Sequence, residues 1–238
     1  MIEFPERTVV QRRLPKEAFY KHLSLSAALK AKFVSDVDRI TVENSLIQGN
    51  LNLTKESTVK EIMLLSIILK KRDFDGKIVE AIAQQNPHKL IFLLMYADER
   101  QLAVYHSKLY RTDWMKENEL SLMLNGDTLD TIWDDLVRQI AISSEAVLQR
   151  QDQTLDEQLK SQDAINRLNK LIKKTEAAAW KEQQPKKRFA LYTKLENYRK
   201  QLEEITNGKA KDAYSGPSRR ELQEAGSIVP QCSDRDDG

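Results

Sequence analysis

Apolar residues along the first 142 positions alternate between helical and strand spacing. Leu29, Phe33 and Val37 recur every four residues and predict a helix capped by Ser26. The run Glu61–Lys70 is apolar at nearly every position, which is typical of a strand covered on both faces. Similar patterns predict a short helix over 13–20 opened by Pro15, strands over 39–42, 90–96 and 102–105, a helix that starts at 73–76 and ends at Pro87, and a helix capped by Asp127 or Thr128.

From about residue 143 the apolar pattern narrows to a single helical seam. The seam includes Leu168 and Ile172, and after Pro185 it continues through Leu191, Leu195, Tyr198, Leu202 and Ile205 in steps of four and three residues. Pro185 can open a helix but cannot lie inside a straight one, so the seam must belong to two helices. The pattern predicts an α+β protein: a mixed α/β body with a small, mostly antiparallel sheet over 1–142, a long antiparallel helical hairpin (coiled coil) over 143–208, and a flexible polar tail over 209–238.

The composition is typical of a helix-rich soluble protein. Charged residues make up 31% and hydrophobic residues 40% of the chain, with seven Gly and six Pro. The single cysteine, Cys232, has no partner for a disulfide or a cysteine-based zinc site, which fits a reducing compartment. The first residues lack the apolar region of a signal peptide, and no apolar run is long enough to span a bilayer. We therefore expect a cytoplasmic protein without a membrane partner.

The net charge of +2 conceals one strongly basic segment. Residues 1–142 are neutral, residues 163–200 carry a net charge of +7, and residues 211–238 carry −2. A localised basic segment predicts contact with an anionic surface such as a nucleic-acid backbone, although a protein partner or a solvated coiled-coil face explains the same pattern. The candidate nucleic-acid or partner-binding residues are Lys173, Lys174, Lys181, Lys186, Lys187 and Arg188.

Two aromatic residues, Trp180 and Phe189, flank the predicted turn between the helices. They can stack on a nucleic-acid base or pack between the two helices. The sequence favours packing between the helices, because apolar side chains in a narrow hairpin are usually buried in its seam.

No residue pattern in the chain matches a known catalytic, cofactor or metal site. The three histidines, His22, His88 and His106, are not spaced as helical metal ligands, which stand three or four residues apart. The chain has no glycine-rich phosphate loop and no Gly-x-Ser-x-Gly nucleophile turn. We therefore assign no catalytic residue, no metal and no cofactor, and the sequence favours a protein that is not an enzyme.

One enzymatic alternative remains, a metal-dependent nuclease. The predicted order helix, strand, strand, helix, strand resembles the core of restriction-endonuclease-like folds, which bind Mg²⁺ through an Asp on one strand and a Glu-x-Lys on the next. Ile68 stands where the Glu before Lys70 would be needed, and Glu61 lies at the far end of the strand. Such a site would have to take its carboxylate from elsewhere, for example Glu43 or Glu80.

Several short motifs resemble a bacterial and archaeal domain family of unknown function, over roughly residues 3–205. They are Arg13-Leu14-Pro15-Lys16 with Phe19-Tyr20, Leu29-Lys30 with Phe33, Pro87 with Ile91-Phe92-Leu93-Leu94, Leu120-Ser121-Leu122 with Leu124 and Gly126, Arg138-Gln139-Ile140, and Glu182-Gln183-Gln184-Pro185-Lys186-Lys187 with Phe189 and Leu191. Similar members tend to be encoded beside superfamily-2 helicases and DNA methyltransferases in restriction-like, phage-defence gene clusters.

The resemblance implies an accessory, non-catalytic subunit of a DNA restriction or anti-phage defence system. Its expected partners are a helicase or a DNA methyltransferase, and the basic hairpin can contact the DNA backbone as well. Two other functions remain open from the residues alone: a nuclease with an unorthodox or degenerate site, and a purely structural protein adaptor with no nucleic-acid contact.

Overall fold

The computed structural model describes five parts of the chain: residue 2, residues 4–15, residue 17, residues 23–142 and residues 153–206. The chain divides into two compact units, Met1–Arg167 and Leu168–Gly238. The predicted tail over 209–238 and the first ten residues of the predicted hairpin, 143–152, lie outside the described residues.

Seven strands of the first unit form one mixed sheet. The strands are β1 (Val9–Leu14), β2 (Val37–Ile47), β3 (Glu61–Leu69), β4 (Lys89–Tyr96), β5 (Glu99–His106), β6 (Lys108–Arg111) and β7 (Met115–Lys116). Their order is β1-β2-β3-β4-β5-β6, and β7 pairs with β5. β3 and β4 are parallel, while the other neighbouring pairs among these strands are antiparallel. The prediction of a mostly antiparallel sheet is confirmed.

Five α-helices accompany the sheet in the described residues, and several begin where the sequence predicted. They are α1 (Ala27–Asp36), α2 (Lys77–Gln84), α3 (Leu129–Ala141), α4 (Leu155–Lys181) and α5 (Pro185–Thr206). Ser26 Oγ accepts a hydrogen bond from Leu29 N at 3.2 Å, and Thr128 Oγ1 accepts one from Thr131 N at 3.0 Å. These caps satisfy backbone donors that a helix start leaves free. The α+β class, with long helices after the sheet, is confirmed.

The sheet is covered on both faces, each by its own hydrophobic core. One core joins the sheet to α3 and to the first turns of α4, and the other joins it to α1 and α2. Neighbouring residues of β3 point to opposite faces, so Leu64 lies in the first core and Leu65 in the second. The nearly continuous apolar run in β3 therefore reflects burial on both faces, as predicted.

The edge strands differ from the sequence prediction. Arg13 and Leu14 were included in the helix predicted over 13–20, but they lie at the end of β1 and pair with Thr41 and Ile40 of β2. Most of β1 is exposed, so its side chains carry no strand-like alternation that the sequence could reveal. Its residues adopt strand geometry because β2 offers an unpaired edge. Of the rest of the helix predicted over 13–20, residue 16 and residues 18–20 lie outside the described residues.

The second unit contains the predicted helical hairpin. The second half of α4 and α5 are joined by the three residues 182–184, and Pro185 opens α5 as expected. Leu168, Ala179 and Leu195 are buried, and Arg199 of α5 reaches Glu176 of α4 at 3.3 Å. The apolar pattern predicted that the hairpin starts near residue 143, whereas the two compact units divide within α4, after Arg167. Within the described residues, no helix has the length and apolar character needed to cross a membrane.

Candidate nucleic-acid or partner interface at the hairpin turn

The turn of the hairpin brings together the end of α4 and the start of α5. Lys181 is the last residue of α4, and Lys186, Lys187 and Arg188 occupy the first turn of α5 after Pro185. Two hydrogen bonds order the short connection over 182–184. Gln184 N donates to Glu182 Oε1 at 2.9 Å, and Arg188 N donates to Gln184 O at 3.0 Å. The sequence therefore places four cations within eight residues at one end of the hairpin. We call Trp180–Phe189 the basic turn.

The cationic side chains of the basic turn are exposed. Within the described residues, none of the six predicted binding residues makes a side-chain hydrogen bond or ion pair; they are Lys173, Lys174, Lys181, Lys186, Lys187 and Arg188. Farther along the hairpin, Arg199 is paired with Glu176. Lys170, Lys194 and Lys200 are also exposed and have no side-chain partner among the described residues, so the unpaired cations extend from the turn along both arms of the hairpin.

Three of these cations oppose the dipole of their own helix. The N-terminus of a helix carries a partial positive charge, and acidic residues usually stabilise it. The first turn of α5 contains Lys186, Lys187 and Arg188 and no acidic residue. Each misplaced charge costs roughly 0.3–1 kcal/mol at an exposed helix end. An anion bound at this turn would remove that cost, and it would also meet the free N–H groups of the helix start.

Both aromatic residues of the basic turn are exposed, so the prediction that they pack between the helices is wrong. Trp180 is 78% exposed and Phe189 is 74% exposed, while the neighbouring Ala179 is fully buried. At this level of the hairpin the buried residue of α4 is therefore the small Ala179, and the two large rings lie outside the seam. Exposed aromatic side chains of this size are a common component of binding surfaces.

The spacing along α4 places one aromatic residue and three cations on adjoining faces. Residues seven apart on a helix lie two turns apart on nearly the same face. Lys173 therefore shares a face with Trp180, and Lys174 shares a face with Lys181. A chain of phosphates, or an acidic protein segment, can contact this surface over about 10 Å of helix length.

The residues considered for a nuclease site are engaged separately in the sheet unit. Ser66 Oγ donates to Glu43, and Ser45 Oγ donates to Glu61 Oε1 at 2.5 Å. Lys70 Nζ donates to the backbone oxygen of Val34 at 2.9 Å. No hydrogen bond or ion pair in the described residues joins Lys70 to either of these carboxylates. In the described residues the predicted order of helices and strands is present, and Glu43, Glu61 and Lys70 are each held by a different neighbour.

A different pair of carboxylates, which the sequence did not reveal, lies at the end of β3. Asp36 Oδ1 accepts from Lys71 Nζ at 2.8 Å, and Asp36 Oδ2 accepts from the backbone N–H of Asp75 at 3.2 Å. Asp75 Oδ2 accepts from Lys32 Nζ at 2.6 Å. For Asp75, the hydrogen bond from Lys32 is the largest cause that lowers the pKa of the carboxyl. Because both carboxylates are already held by cations and N–H groups, they tie α1, β3 and α2 together.

The histidines pair with single carboxylates. His88 Nδ1 lies 3.1 Å from Glu61 Oε2, and His106 Nε2 lies 3.1 Å from Asp156 Oδ1. His22 lies outside the described residues. In the part of the chain that the structure describes, no three His, Cys, Asp or Glu side chains form a group that could hold a metal ion.

A family profile described as a domain of unknown function, DUF4391, matches residues 2–202. The chain belongs to the DUF4391 family. The match covers the sheet unit and nearly all of the hairpin, so the basic turn lies inside the DUF4391 domain. No curated protein and no solved structure matches the chain.

Proposed function

We propose that this DUF4391 protein is an accessory, non-catalytic subunit of a bacterial DNA restriction or anti-phage defence system. In this proposal it docks a helicase or DNA methyltransferase subunit in the cytoplasm, and its basic turn contacts the nucleic-acid backbone. The partner class comes from the resemblance to family members encoded in phage-defence clusters. The nucleic-acid contact is argued from the geometry of the basic turn.

One observation carries the nucleic-acid contact. Lys186, Lys187 and Arg188 are exposed, lack ion-pair partners among the described residues, and stand at a helix N-terminus that disfavours cations. A plain solvated surface gains nothing from this arrangement, because the same charges would be more stable elsewhere on the helix. A phosphate backbone gains from it, because the three cations and the helix dipole attract the same anion.

The exposed aromatic residues add a second kind of contact. Trp180 and Phe189 present flat apolar surfaces beside the cations. Rings in this setting stack on unpaired bases, and tryptophan and arginine are also enriched among the residues that dominate protein–protein interfaces. The same observation therefore supports a second function, docking of an acidic protein partner at the turn.

Binding of labelled duplex DNA over a salt series tests the proposal. Contact with three or four phosphates predicts a slope of log affinity against log salt of roughly −3 to −4. The triple variant Lys186→Gln, Lys187→Gln, Arg188→Gln should flatten this slope by about one for each phosphate that is no longer neutralised, with little dependence on DNA sequence. The measurement is fluorescence anisotropy, first on the protein alone and then together with its helicase or methyltransferase partner.

A matched control has the same change in net charge at another surface. Arg12, Arg13 and Arg39 are exposed on β1 and β2, and the triple change of these residues to Gln should leave the slope unchanged. Equal effects of the two triple variants, or no DNA binding in either state, would contradict the backbone contact. Loss of partner co-purification in the turn variant, with DNA binding unchanged, would assign the turn to protein docking.

A further inference from the structure

A cleft built only from residues of the sheet unit contains polar groups that the fold leaves without partners. Its volume is about 590 Å³, within the range of roughly 300–1,000 Å³ that small-molecule sites occupy. The loop after β3, the strands β5 and β6, and the segment that follows β6 form its walls. None of the sequence patterns pointed to this cleft, because its residues come from three separate parts of the chain.

Gln101 contributes a hydrogen-bond acceptor to the cleft. The residue is only 5% exposed, and its Nε2 donates to Thr112 O at 2.7 Å. That bond fixes the orientation of the amide group, because the opposite orientation would bring two oxygens together. Gln101 Oε1 is buried and has no hydrogen-bond partner in the described residues. Buried polar groups are rarely left in this state, and an N–H group of a molecule in the cleft would complete the hydrogen bonding once the amide shifts toward it.

Arg111 contributes a hydrogen-bond donor. Its guanidinium group lies over the ring of Phe74, 5.7 Å from the ring centre. Within the described residues the Arg111 side chain makes no ion pair and no hydrogen bond. Arg72, the other arginine of the cleft, differs because both oxygens of Glu99 accept from it, at 2.6 and 3.0 Å. Arg111 is therefore the cation of the cleft that can hold an anionic group.

Trp114 and two carboxylates complete the lining. Trp114 is partly exposed, and the guanidinium of Arg72 lies 5.8 Å from its ring centre. Asp73 and Asp113 are exposed, and their carboxylates make no hydrogen bond with described residues. A bare anion would be repelled by these carboxylates. A molecule that combines a flat ring, several N–H donors and one anionic group would match this lining.

We propose that this cleft binds a single nucleotide whose base carries an amino group. The base would lie against Trp114 with its N–H groups toward Gln101 Oε1 and the two carboxylates, and the phosphate would meet Arg111. Aromatic and guanidinium surfaces stack readily on bases. Uracil and thymine would bind less well, because they have no amino group and their carbonyl oxygens would face the carboxylates. The nucleotide is either free or an unpaired residue of a strand, and the proposal is independent of the basic turn.

Calorimetric titration of the full chain with AMP, CMP, GMP, UMP and inorganic phosphate tests this site. The three amino-bearing nucleotides should bind more tightly than UMP, and inorganic phosphate should bind most weakly. The Arg111→Gln variant should lose about tenfold or more in affinity for the amino-bearing nucleotides, because a charged hydrogen bond is removed. The Arg39→Gln variant is the matched control, because Arg39 is also an exposed strand arginine and lies outside the cleft.

Two further variants separate the parts of the proposal. Gln101→Met keeps the length of the side chain and removes its acceptor, so the preference over UMP should shrink. The triple glutamine variant of the basic turn should bind nucleotides as the native chain does, which keeps this test apart from that of the proposed function.

If no mononucleotide binds, short single strands of dA and dT replace them, and Arg111-dependent preference for dA supports a strand as the source. Absence of binding to all probes, equal binding of UMP, or no effect of Arg111→Gln would overturn the proposal.

Discussion

Asp36 is a charged residue that the fold has buried almost completely. Its side chain is 1% exposed, and Ser35 Oγ, Lys71 Nζ and the backbone N–H of Asp75 all donate to its carboxylate. Burial acts to raise the pKa of this carboxyl, but the hydrogen bonds from Lys71, Ser35 and Asp75 outweigh it and hold the pKa below its ordinary value of 3.8. The charged form of Asp36 therefore stabilises the joint between α1, β3 and α2.

We expect Asp36→Asn to lower the free energy of unfolding by about 2 kcal/mol at neutral pH, because hydrogen bonds to a charged group are removed. The pKa of Asp36 is lower in the folded chain than in the unfolded chain. Its stabilising effect is therefore complete above the ordinary pKa of 3.8 and disappears as the pH falls through the folded-state value. The difference between variant and native chain should shrink over that acid range.

Denaturant unfolding between pH 3 and pH 7 measures this effect. Asp38→Asn is the matched control. Asp38 follows Asp36 by two residues, is exposed in β2, and has no side-chain hydrogen bond or ion pair in the described residues. If Asp36→Asn costs no more than Asp38→Asn at pH 7, the role given to the buried carboxylate is wrong.

At the scale of single elements, the turn between β4 and β5 is strained. Tyr96 pairs with Glu99, so only Ala97 and Asp98 connect the two strands. Ala97 has a φ of 48°, a left-handed conformation that costs a residue with a β-carbon roughly 1–2 kcal/mol. Glycine is the residue that adopts this conformation without steric cost.

We therefore expect Ala97→Gly to stabilise the protein, by about 0.5–1 kcal/mol after the added entropy of the unfolded chain is subtracted. The same change in the middle of α2, Ala81→Gly, should destabilise by about 1 kcal/mol, because glycine is a poor helix former. Thermal unfolding measures both variants. The melting temperature should rise for Ala97→Gly and fall for Ala81→Gly. A lower melting temperature for Ala97→Gly would show that the turn does not carry this strain.

The elements that the sequence predicted well are those with a signal of their own. Ser26 and Thr128 cap their helices by local hydrogen bonds, and Pro185 opens α5 because its ring fits the first helical position. The two short strands β6 and β7 carry no comparable signal. They form because β5 offers backbone hydrogen-bond partners, and this pairing is not encoded in the local sequence. Helix starts could therefore be predicted from the local sequence, and strand pairing at the sheet edges could not.

The candidate sites divide in the same way. The charges of the basic turn could be predicted because they are neighbours in the sequence, and a proline marked the turn between them. The exposure of Trp180 could not be predicted, because it depends on how closely the two helices approach at Ala179. The cleft at Gln101 and Arg111 could not be predicted either, because residues distant in the sequence are brought together by the pairing of β5 with β6.

At the scale of the whole chain, apolar burial is very unequal between the two compact units. Both hydrophobic cores consist of residues that precede Arg167. In the described part of the second unit only Leu168, Ala179 and Leu195 are buried apolar residues. Since buried apolar area is the main source of folding stability, the hairpin should open at a lower free-energy cost than the sheet.

Hydrogen exchange followed by mass spectrometry tests this difference. We expect amides of α5 to exchange much faster than those of β3 and β4. Leu195→Ala should speed exchange in α5 and in the second half of α4 without changing β3, because Leu195 belongs to the second unit. Leu94→Ala, at a fully buried position of β4, should instead lower the global stability by about 2–5 kcal/mol and speed exchange in the sheet. If Leu195→Ala accelerates exchange in β3 as strongly as in α5, the two units unfold together, and the inferred difference in their opening free energy is wrong.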